Sequence, residues 1–314
     1  MIILYILLGI VALCLCICLY CFSSGFYAPR KKAADPNEIQ TPVGKIYDPY
    51  RASMENWIRE ARAMAHEEFY ITSFDGLPLH GNFYEYAPGA PIELMFHGYR
   101  GTAERDLSGG VQRCFRVGRS ALVVDQRCSG KSGGRVITFG INEHKDCLSW
   151  VDFMVMHFGP DAKIILTGIS MGGATVLTAS GCDLPENVIG ILAACPYSSP
   201  KEIICKVIKD MGLPPKIFYP FTKLSARIFG KFDLEETSPL EGVKNCRIPV
   251  IFFHGESDDF VPCDMSRELF EACASKKKLV TIPGAGHGLS YAVDPEKYLT
   301  SLREFFGEEA SYKK

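Results

Sequence analysis

The hydrophobic pattern begins with one long apolar run. Residues Ile2 to Phe22 are almost wholly apolar and carry no charge. At 1.5 Å per residue, these twenty-one residues span roughly 30 Å, which matches the hydrocarbon core of a bilayer. The pattern therefore predicts a transmembrane anchor over residues 1–27. A cleaved secretory signal and a buried helix remain as the alternatives.

The flanks of this run favour the anchor and suggest its orientation. No Lys or Arg precedes the run, and Ser23-Ser24-Gly25-Phe26 is a poor cleavage site for a secretory signal. The first basic cluster, Arg30-Lys31-Lys32, follows the span. By the positive-inside rule, we expect a single-pass membrane protein whose remaining residues lie in the cytoplasm.

The rest of the chain alternates between strand-like and helical patterns. A linker and a helix are predicted over residues 28–66, followed by two strand-like segments around Asp75-Gly76, a strong hairpin signal. Six short apolar runs then alternate with helical stretches: Ile92 to Phe96, Ala121 to Val124, Lys163 to Thr167, Val188 to Ala194, Pro249 to Phe253 and Lys278 to Ile282. This order predicts one α/β domain over residues 67–310, with a mostly parallel central sheet and helices on both faces.

The stretch over about residues 200–240 is too long for a simple crossover and reads as a small helical lid. From Lys201 to Lys231 it contains seven basic and two acidic residues, with apolar residues at helical spacing. A basic, amphipathic lid near an anchor is typical of a segment that rests on an anionic membrane and admits lipophilic acyl chains. The alternative is that its apolar face packs on the sheet and its lysines are solvated.

Composition excludes several classes of protein. The formal net charge of −2 gives no support to nucleic-acid binding. Of the 13 cysteines, four lie in the apolar run, and the other nine lack paired spacing, which suits a reducing compartment. Since no CxxC or Cys/His cluster outside the apolar run has zinc spacing, we expect no metal and no other cofactor.

The strongest chemical signal is Gly168-Ile169-Ser170-Met171-Gly172, which follows an apolar strand and precedes a helical pattern. It matches the G-x-S-x-G elbow that presents a nucleophilic serine on a sharp strand-to-helix turn. A serine nucleophile needs a base and an acid that orients the base. His287 lies downstream in a glycine-rich loop, and the adjacent Asp258 and Asp259 compete for the role of the acid.

The oxyanion of an acyl-transfer intermediate needs backbone N–H donors. One is expected from Met171, directly after the serine, and the other from the loop His97-Gly98-Tyr99, with Tyr99 as our choice. The glycine permits close approach of the backbone to a substrate. His97 itself is expected to stabilise the loop, and His254 to be a turn or core residue.

These segments together resemble a known group of proteins. From about Phe69 to Phe306 the chain is similar to α/β-hydrolases, particularly the serine-aminopeptidase-like and prolyl-oligopeptidase-like branch that includes membrane-anchored bacterial hydrolases. The resemblance rests on His97-Gly98, the elbow, the H-G-x-x-D-x-x-V-P segment from His254 to Pro262, and Gly284-Ala285-Gly286-His287-Gly288. It implies the α/β-hydrolase fold and assigns the acid to Asp258. Cys128 stands where the family usually has glycine, which puts the local turn in question.

The resemblance and the residues predict a serine hydrolase with Ser170 as nucleophile, His287 as base and Asp258 as acid. We expect hydrolysis of carboxylic esters, because the basic lid lacks carboxylates to hold the ammonium group of an aminopeptidase substrate. The expected partners are a small or lipid-like ester, possibly a peptide, and the membrane. Peptidase or thioesterase activity is the alternative, and a non-catalytic binding module is a further one.

Overall fold

The computed structural model describes residues 1–29 and 38–307. The basic cluster Arg30-Lys31-Lys32 and the last residues of the predicted domain, 308–310, lie outside the described residues. The strands are β1 (Glu67–Thr72), β2 (Pro78–Tyr84), β3 (Ile92–Phe96), β4 (Ser120–Asp125), β5 (Ile164–Ile169), β6 (Val188–Ala194), β7 (Val250–Gly255) and β8 (Lys277–Ile282).

The described helices lie between and around these strands. They are α1 (Ile2–Gly25), α2 (Arg51–Ala63), α3 (Ala103–Arg116), α4 (Glu143–Phe158), α5 (Met171–Ala179), α6 (Pro200–Asp210), α7 (Pro215–Ser225), α8 (Pro239–Asn245), α9 (Cys263–Ala272), α10 (Ser290–Val293) and α11 (Pro295–Phe306). A 3₁₀ turn over Asp48–Tyr50 precedes α2, and a π-helical turn over Ala226–Gly230 follows α7.

The eight strands form one sheet in the order β1-β2-β4-β3-β5-β6-β7-β8. β1 and β2 pair antiparallel with their neighbours, and the six strands from β4 to β8 in this order pair in parallel. The predicted α/β-hydrolase fold, with a mostly parallel sheet, is therefore confirmed.

Helices cover both faces of the central strands, which explains why most residues of these strands are apolar. In β4, Leu122 and Val124 belong to one buried cluster, which includes Trp150 of α4. The alternate residues Ala121 and Val123 of the same strand belong to a second cluster, with α3 on the other face. Because side chains alternate across a strand, a sheet that is covered twice favours apolar residues on both faces of each central strand.

The predicted lid over about residues 200–240 contains α6, α7 and the π-helical turn, and α8 follows it and packs on α5 and α9. Ser199 and Ser238 cap α6 and α8 by accepting hydrogen bonds from the N–H groups of Glu202 and Glu241. The sequence analysis missed α8, which has only seven residues and contains Gly242. Within the lid, α7 continues directly into the π-helical turn.

The first helix, α1, has 24 residues and is long and apolar enough to cross a membrane, a property it shares with secretory signals. Its carboxyl end packs on the α/β domain, where Cys18 and Phe26 are buried. Beyond the helix, Ala28 N–H donates to Arg135 O at 2.9 Å, and Ile137 N–H donates to Phe26 O at 2.9 Å. The end of α1 is thus joined to the domain by backbone hydrogen bonds.

Candidate active site

The predicted site residues come from the carboxyl ends of neighbouring parallel strands. Tyr99 follows β3, Ser170 follows β5, Asp258 follows β7 and His287 follows β8. In an open α/β sheet this edge is where ligands bind, because the loops that follow the strands converge there. The topology therefore gathers residues that are far apart in the chain.

Ser170 lies on a sharp turn between β5 and α5 with φ of 56° and ψ of −118°. Two glycines permit this turn. A Cβ atom on Gly168 would lie 2.1 Å from Gly172 O, and one on Gly172 would lie 2.0 Å from Phe96 O. Since no side chain fits at such distances, both positions require glycine, and the serine is lifted above the sheet.

His287 bridges the serine and the aspartate. Its Nε2 lies 2.9 Å from Ser170 Oγ, and its Nδ1 lies 2.7 Å from Asp258 Oδ2. With the Nδ1 proton donated to the carboxylate, Nε2 is left to accept the serine proton. The structure therefore brings Ser170, His287 and Asp258 into one hydrogen-bonded series.

Asp258 is held as a carboxylate by several donors. Its Oδ1 accepts hydrogen bonds from the N–H groups of Phe260 at 3.0 Å and Val261 at 2.8 Å. Burial would raise the pKa of this carboxyl, but hydrogen bonds from His254 and His287 hold the pKa far below its usual value. Its neighbour Asp259 is exposed and does not contact His287.

His254 makes contacts in the site that the sequence analysis did not predict. It is fully buried, with Nε2 2.9 Å from Val261 O and 3.3 Å from Asp258 Oδ2. Its Nδ1 lies 2.6 Å from Ser266 Oγ. These contacts fix the loop that carries Asp258, so His254 is a positioning residue as well as a core residue.

Cys195 is a second residue of the site that the sequence analysis missed. It follows β6 with φ of 42°, and its sulfur lies within 4.8 Å of donor atoms of Asp258 and His287. Both ring nitrogens of His287 already face Asp258 and Ser170, so this group is a hydrogen-bonded set and not a metal-ligand set. Its sequence signal is weak, because a lone Cys before a proline, Pro196, has no distinctive spacing.

The imidazole of His287 is electrostatically biased towards its charged form. Burial would lower its pKa, but the nearby Cys195 sulfur and the Asp258 carboxylate raise the pKa above its ordinary value. The Phe260 ring packs edge-on against the imidazole, with centroids 5.1 Å apart. The His287 imidazole is therefore enclosed and held in one orientation, and its pKa is raised.

The two expected oxyanion donors lie beside Ser170. Met171 is the first residue of α5, so its N–H has no acceptor within the helix. A Cβ atom on Gly98 would lie 3.6 Å from Ser170 Cβ, which places the loop containing Tyr99 against the serine. Gly98 N–H donates to Asp106 Oδ2 at 3.2 Å, which holds this loop in place.

His97 stabilises the same loop from below, as expected from the sequence. Gln126 N–H donates to its Nε2 at 3.0 Å, and its Nδ1 lies 2.7 Å from Gly98 O. Burial lowers the pKa of His97, which keeps the ring neutral. Nearby Cys128 adopts φ of 69°, the left-handed conformation that glycine usually supplies, so the turn is retained despite the substitution.

Two cavities meet at Ser170, Tyr99 and Phe260. The linker cavity, of about 560 Å³, is lined by residues such as Val43, Ile46 and Trp57, from α2 and the segment before it. The anchor cavity, of about 640 Å³, is lined by α1 and the lid helices. Ser170 thus lies where the two cavities join.

The side chains of Tyr99 and Arg100 connect this junction to α1. Tyr99 Oη donates to Gly25 O at 2.7 Å, and Arg100 Nη2 donates to Ser24 O at 2.8 Å. The guanidinium therefore caps carbonyl groups at the negative end of the helix dipole. No sequence pattern indicated these contacts, because they join residues about 75 positions apart.

Comparisons with known proteins agree with the fold. Residues 138–312 match the prolyl oligopeptidase family. The uncharacterised protein YqkD of Bacillus subtilis is 25% identical over 190 residues, which cover 60% of this chain and 62% of that protein. The uncharacterised protein YfhR of Escherichia coli K12 is 24% identical over 80% of this chain and 79% of its own length.

Solved structures show the same architecture. The Pyrococcus furiosus esterase Pf2001 superposes with a TM-score of 0.64 and 20% identity, covering 88% of this chain and 98% of its own. Est1E of Butyrivibrio proteoclasticus, solved with ferulic acid, gives a TM-score of 0.59 and 20% identity over 76% of this chain and all of that one. The family match extends over more than half of the present sequence. This chain therefore belongs to the prolyl oligopeptidase family of serine hydrolases, within the α/β-hydrolase superfamily.

Proposed function

We propose that the protein hydrolyses carboxylic esters through an acyl-enzyme, with Ser170 as nucleophile, His287 as base and Asp258 as the acid that orients it. The observation that carries this proposal is the position of Ser170 Oγ, which is 2.9 Å from His287 Nε2 at the meeting point of two cavities. A nucleophile bonded to its base and open to a cleft on both sides is what acyl transfer needs.

The reaction follows from these contacts. Ser170 Oγ attacks the ester carbonyl carbon while His287 Nε2 takes the serine proton. When the tetrahedral intermediate collapses, the bond to the alcohol oxygen breaks, and the imidazolium returns the proton to the leaving alcohol. Water then attacks the acyl-enzyme with His287 again as base, releasing the carboxylic acid and the free serine.

The charge that develops in each step has a partner. The negative oxygen of the intermediate is assigned to the N–H groups of Met171 and Tyr99, with the positive end of α5 adding to the field. The positive imidazolium faces the Asp258 carboxylate. Because these groups are fixed before the substrate binds, little reorganisation is needed during the reaction.

An ester is favoured over an aminopeptidase substrate by the charges around the site. Asp106 is the single carboxylate among the described residues that line either cavity. Its oxygens already accept hydrogen bonds from Arg105 and from Gly98 N–H. A substrate ammonium group would therefore find no free carboxylate, and its desolvation would not be compensated.

We also propose that residues 1–27 anchor the protein in the membrane, with residues 28–66 joining the anchor to a hydrolase domain over 67–310 in the cytoplasm. Support comes from the length of α1 and from the basic residues that follow it in the sequence.

The first prediction concerns the three proposed catalytic residues. Wild type should be labelled by a fluorophosphonate probe, whereas Ser170→Ala and His287→Ala should not be. Asp258→Asn should lower kcat by about 10⁴-fold, because the neutral amide no longer holds the imidazole in the tautomer whose Nε2 accepts a proton. The matched control Asp259→Asn alters an exposed side chain and should stay within about twofold of wild type. Equal losses in both aspartate variants would contradict the assignment.

The second prediction concerns the substrate class. Acyl esters should exceed aminoacyl p-nitroanilides in kcat/KM by at least roughly tenfold, the scale of one unmet pocket contact. Parallel assays of purified full-length protein in detergent would measure this ratio, with Ser170→Ala as the blank. Faster turnover of the amides would reject the ester proposal and favour a peptidase.

The third prediction concerns pH. Because only the neutral imidazole accepts the serine proton, kcat/KM should rise with pH and reach half its maximum above the ordinary histidine value of about 6.5. Cys195→Ser replaces the sulfur beside the imidazole and should move this midpoint to lower pH. Cys182→Ser, outside both cavities, is the control. An unmoved midpoint in Cys195→Ser would show that the sulfur does not bias the base.

The fourth prediction concerns orientation in the membrane. Asp161→Cys places a thiol in the exposed loop between α4 and β5. In intact cells an impermeant maleimide should leave this thiol unlabelled, and it should react once the cells are permeabilised. Wild type gives the background from the native cysteines, and labelling of the variant in intact cells would place the domain outside.

A further inference from the structure

The anchor cavity is built jointly by two segments that are separate in the sequence. One wall is α1, through Cys16, Ile17, Tyr20 and Cys21, and the other is the lid, through Ile203, Ile204, Val207, Ile208 and Phe218. Its volume of about 640 Å³ is in the range of small-molecule sites. Arg100 is the single charged residue among the described ones that line it. Such a space suits an apolar chain.

The way α1 packs limits how the domain sits relative to a membrane. The part of α1 that lines the anchor cavity begins at Cys16, and Ile2 to Leu15 are exposed except for the partly buried Cys14. These fourteen residues extend roughly 21 Å, whereas the hydrocarbon core is about 30 Å thick. For α1 to span the core, roughly another 9 Å must come from the part that packs on the lid.

The outer surface of the lid fits such a depth. Four large apolar side chains of the lid are between 44% and 59% exposed: Met211, Ile217, Leu224 and Ile228. Interfacial helices bury their apolar face about 5–10 Å into the membrane boundary. A bilayer that reaches the lid would supply the additional 9 Å or so that α1 needs to span the core. The same position would cover the exposed apolar side chains of the lid.

Charge around this apolar surface agrees with a lipid neighbour. Lys206, Lys223 and Arg227 of the lid form ion pairs with acidic side chains. In contrast, Lys209, Lys216 and Lys231 are exposed and make no ion pair within the described part of the chain. These three lysines lie within three residues of the exposed apolar side chains in sequence. Lysines beside an apolar surface are suited to phosphate groups at the membrane surface.

We propose that the anchor cavity binds the long acyl chain of an ester resident in the membrane, which reaches Ser170 from the bilayer between α1 and the lid. This inference rests on the proposed esterase function and names its substrate class. The acyl chain is transferred to Ser170 Oγ and the alcohol leaves through the linker cavity. Water then releases the fatty acid, whose chain returns to the bilayer. In this arrangement α1 is a wall of the binding site as well as an anchor.

Full-length protein in phosphatidylcholine vesicles tests the proposal with two fluorogenic esters, 4-methylumbelliferyl butyrate and 4-methylumbelliferyl palmitate. Ile17→Trp fills the cavity from α1, and Val207→Phe fills it from the lid. Each should lower the palmitate-to-butyrate ratio of kcat/KM by at least roughly tenfold, because lost methylene contacts penalise the long chain alone. The butyrate rate serves as the measure of folded enzyme within each variant.

The matched control is Leu19→Trp, which adds the same side chain to an exposed position of α1 outside the cavity. Its palmitate-to-butyrate ratio should equal that of wild type. In addition, palmitate ester incorporated in the same vesicles as the enzyme should be hydrolysed faster than ester supplied in separate vesicles.

The outcomes separate the two proposals. If wild type hydrolyses neither ester, the esterase proposal itself fails. If it hydrolyses butyrate but not palmitate, or if filling the cavity from both walls leaves the ratio unchanged, the acyl-chain site is overturned while the esterase stands. Equal rates from shared and separate vesicles would overturn delivery from the bilayer.

Discussion

The left-handed backbone at Ser170 is the constraint on which the site depends. A non-glycine residue in such a conformation costs on the order of 1–3 kcal/mol, and it persists only where the surrounding structure imposes it. Here β5, α5 and β3 approach so closely that Gly168 and Gly172 leave no room for a Cβ atom. The packing of the sheet against one helix therefore raises the serine to His287, and it presents the first free N–H of α5, that of Met171, beside the serine.

The loop after β3 extends this rigidity outwards. His97 and Asp106 hold the backbone of Gly98 from two sides, through Gly98 O and Gly98 N–H. The next residue, Tyr99, lines both cavities together with Ser170, and its hydroxyl donates to Gly25 O at the end of α1. One short loop thus connects the reaction centre to the apolar helix. A displacement of α1 would therefore shift the proposed oxyanion donor, because few rotatable bonds separate the hydroxyl of Tyr99 from its backbone N–H.

The sequence predicted those features that are encoded locally. β3 and β6 have the predicted limits, because each is a short, predominantly apolar run. The elbow and the segments that contain Asp258 and His287 are likewise short patterns. The sheet topology brings Ser170, Asp258 and His287 together in space. The contacts of Cys195 with His287 and of His254 with Asp258 could not be predicted, since they join residues that no spacing rule connects. For α8, the capping pair Ser238 and Glu241 was a local signal that went unused.

The same reasoning explains why the role of α1 is invisible in the sequence. An apolar run of this length predicts a span, and a basic amphipathic segment predicts a surface helix, but neither pattern specifies that the two face one another. That information lies in Arg100 and Tyr99, which bind carbonyl groups of α1, and in the bridge between Tyr27 and Val136. Polar contacts fix the carboxyl end of α1, and the residues from Cys16 onwards share a cavity with the lid. The helix is therefore part of the wall of this cavity and not only a connection to the domain. The anchor cavity thus places Ser170 where this apolar helix meets the lid.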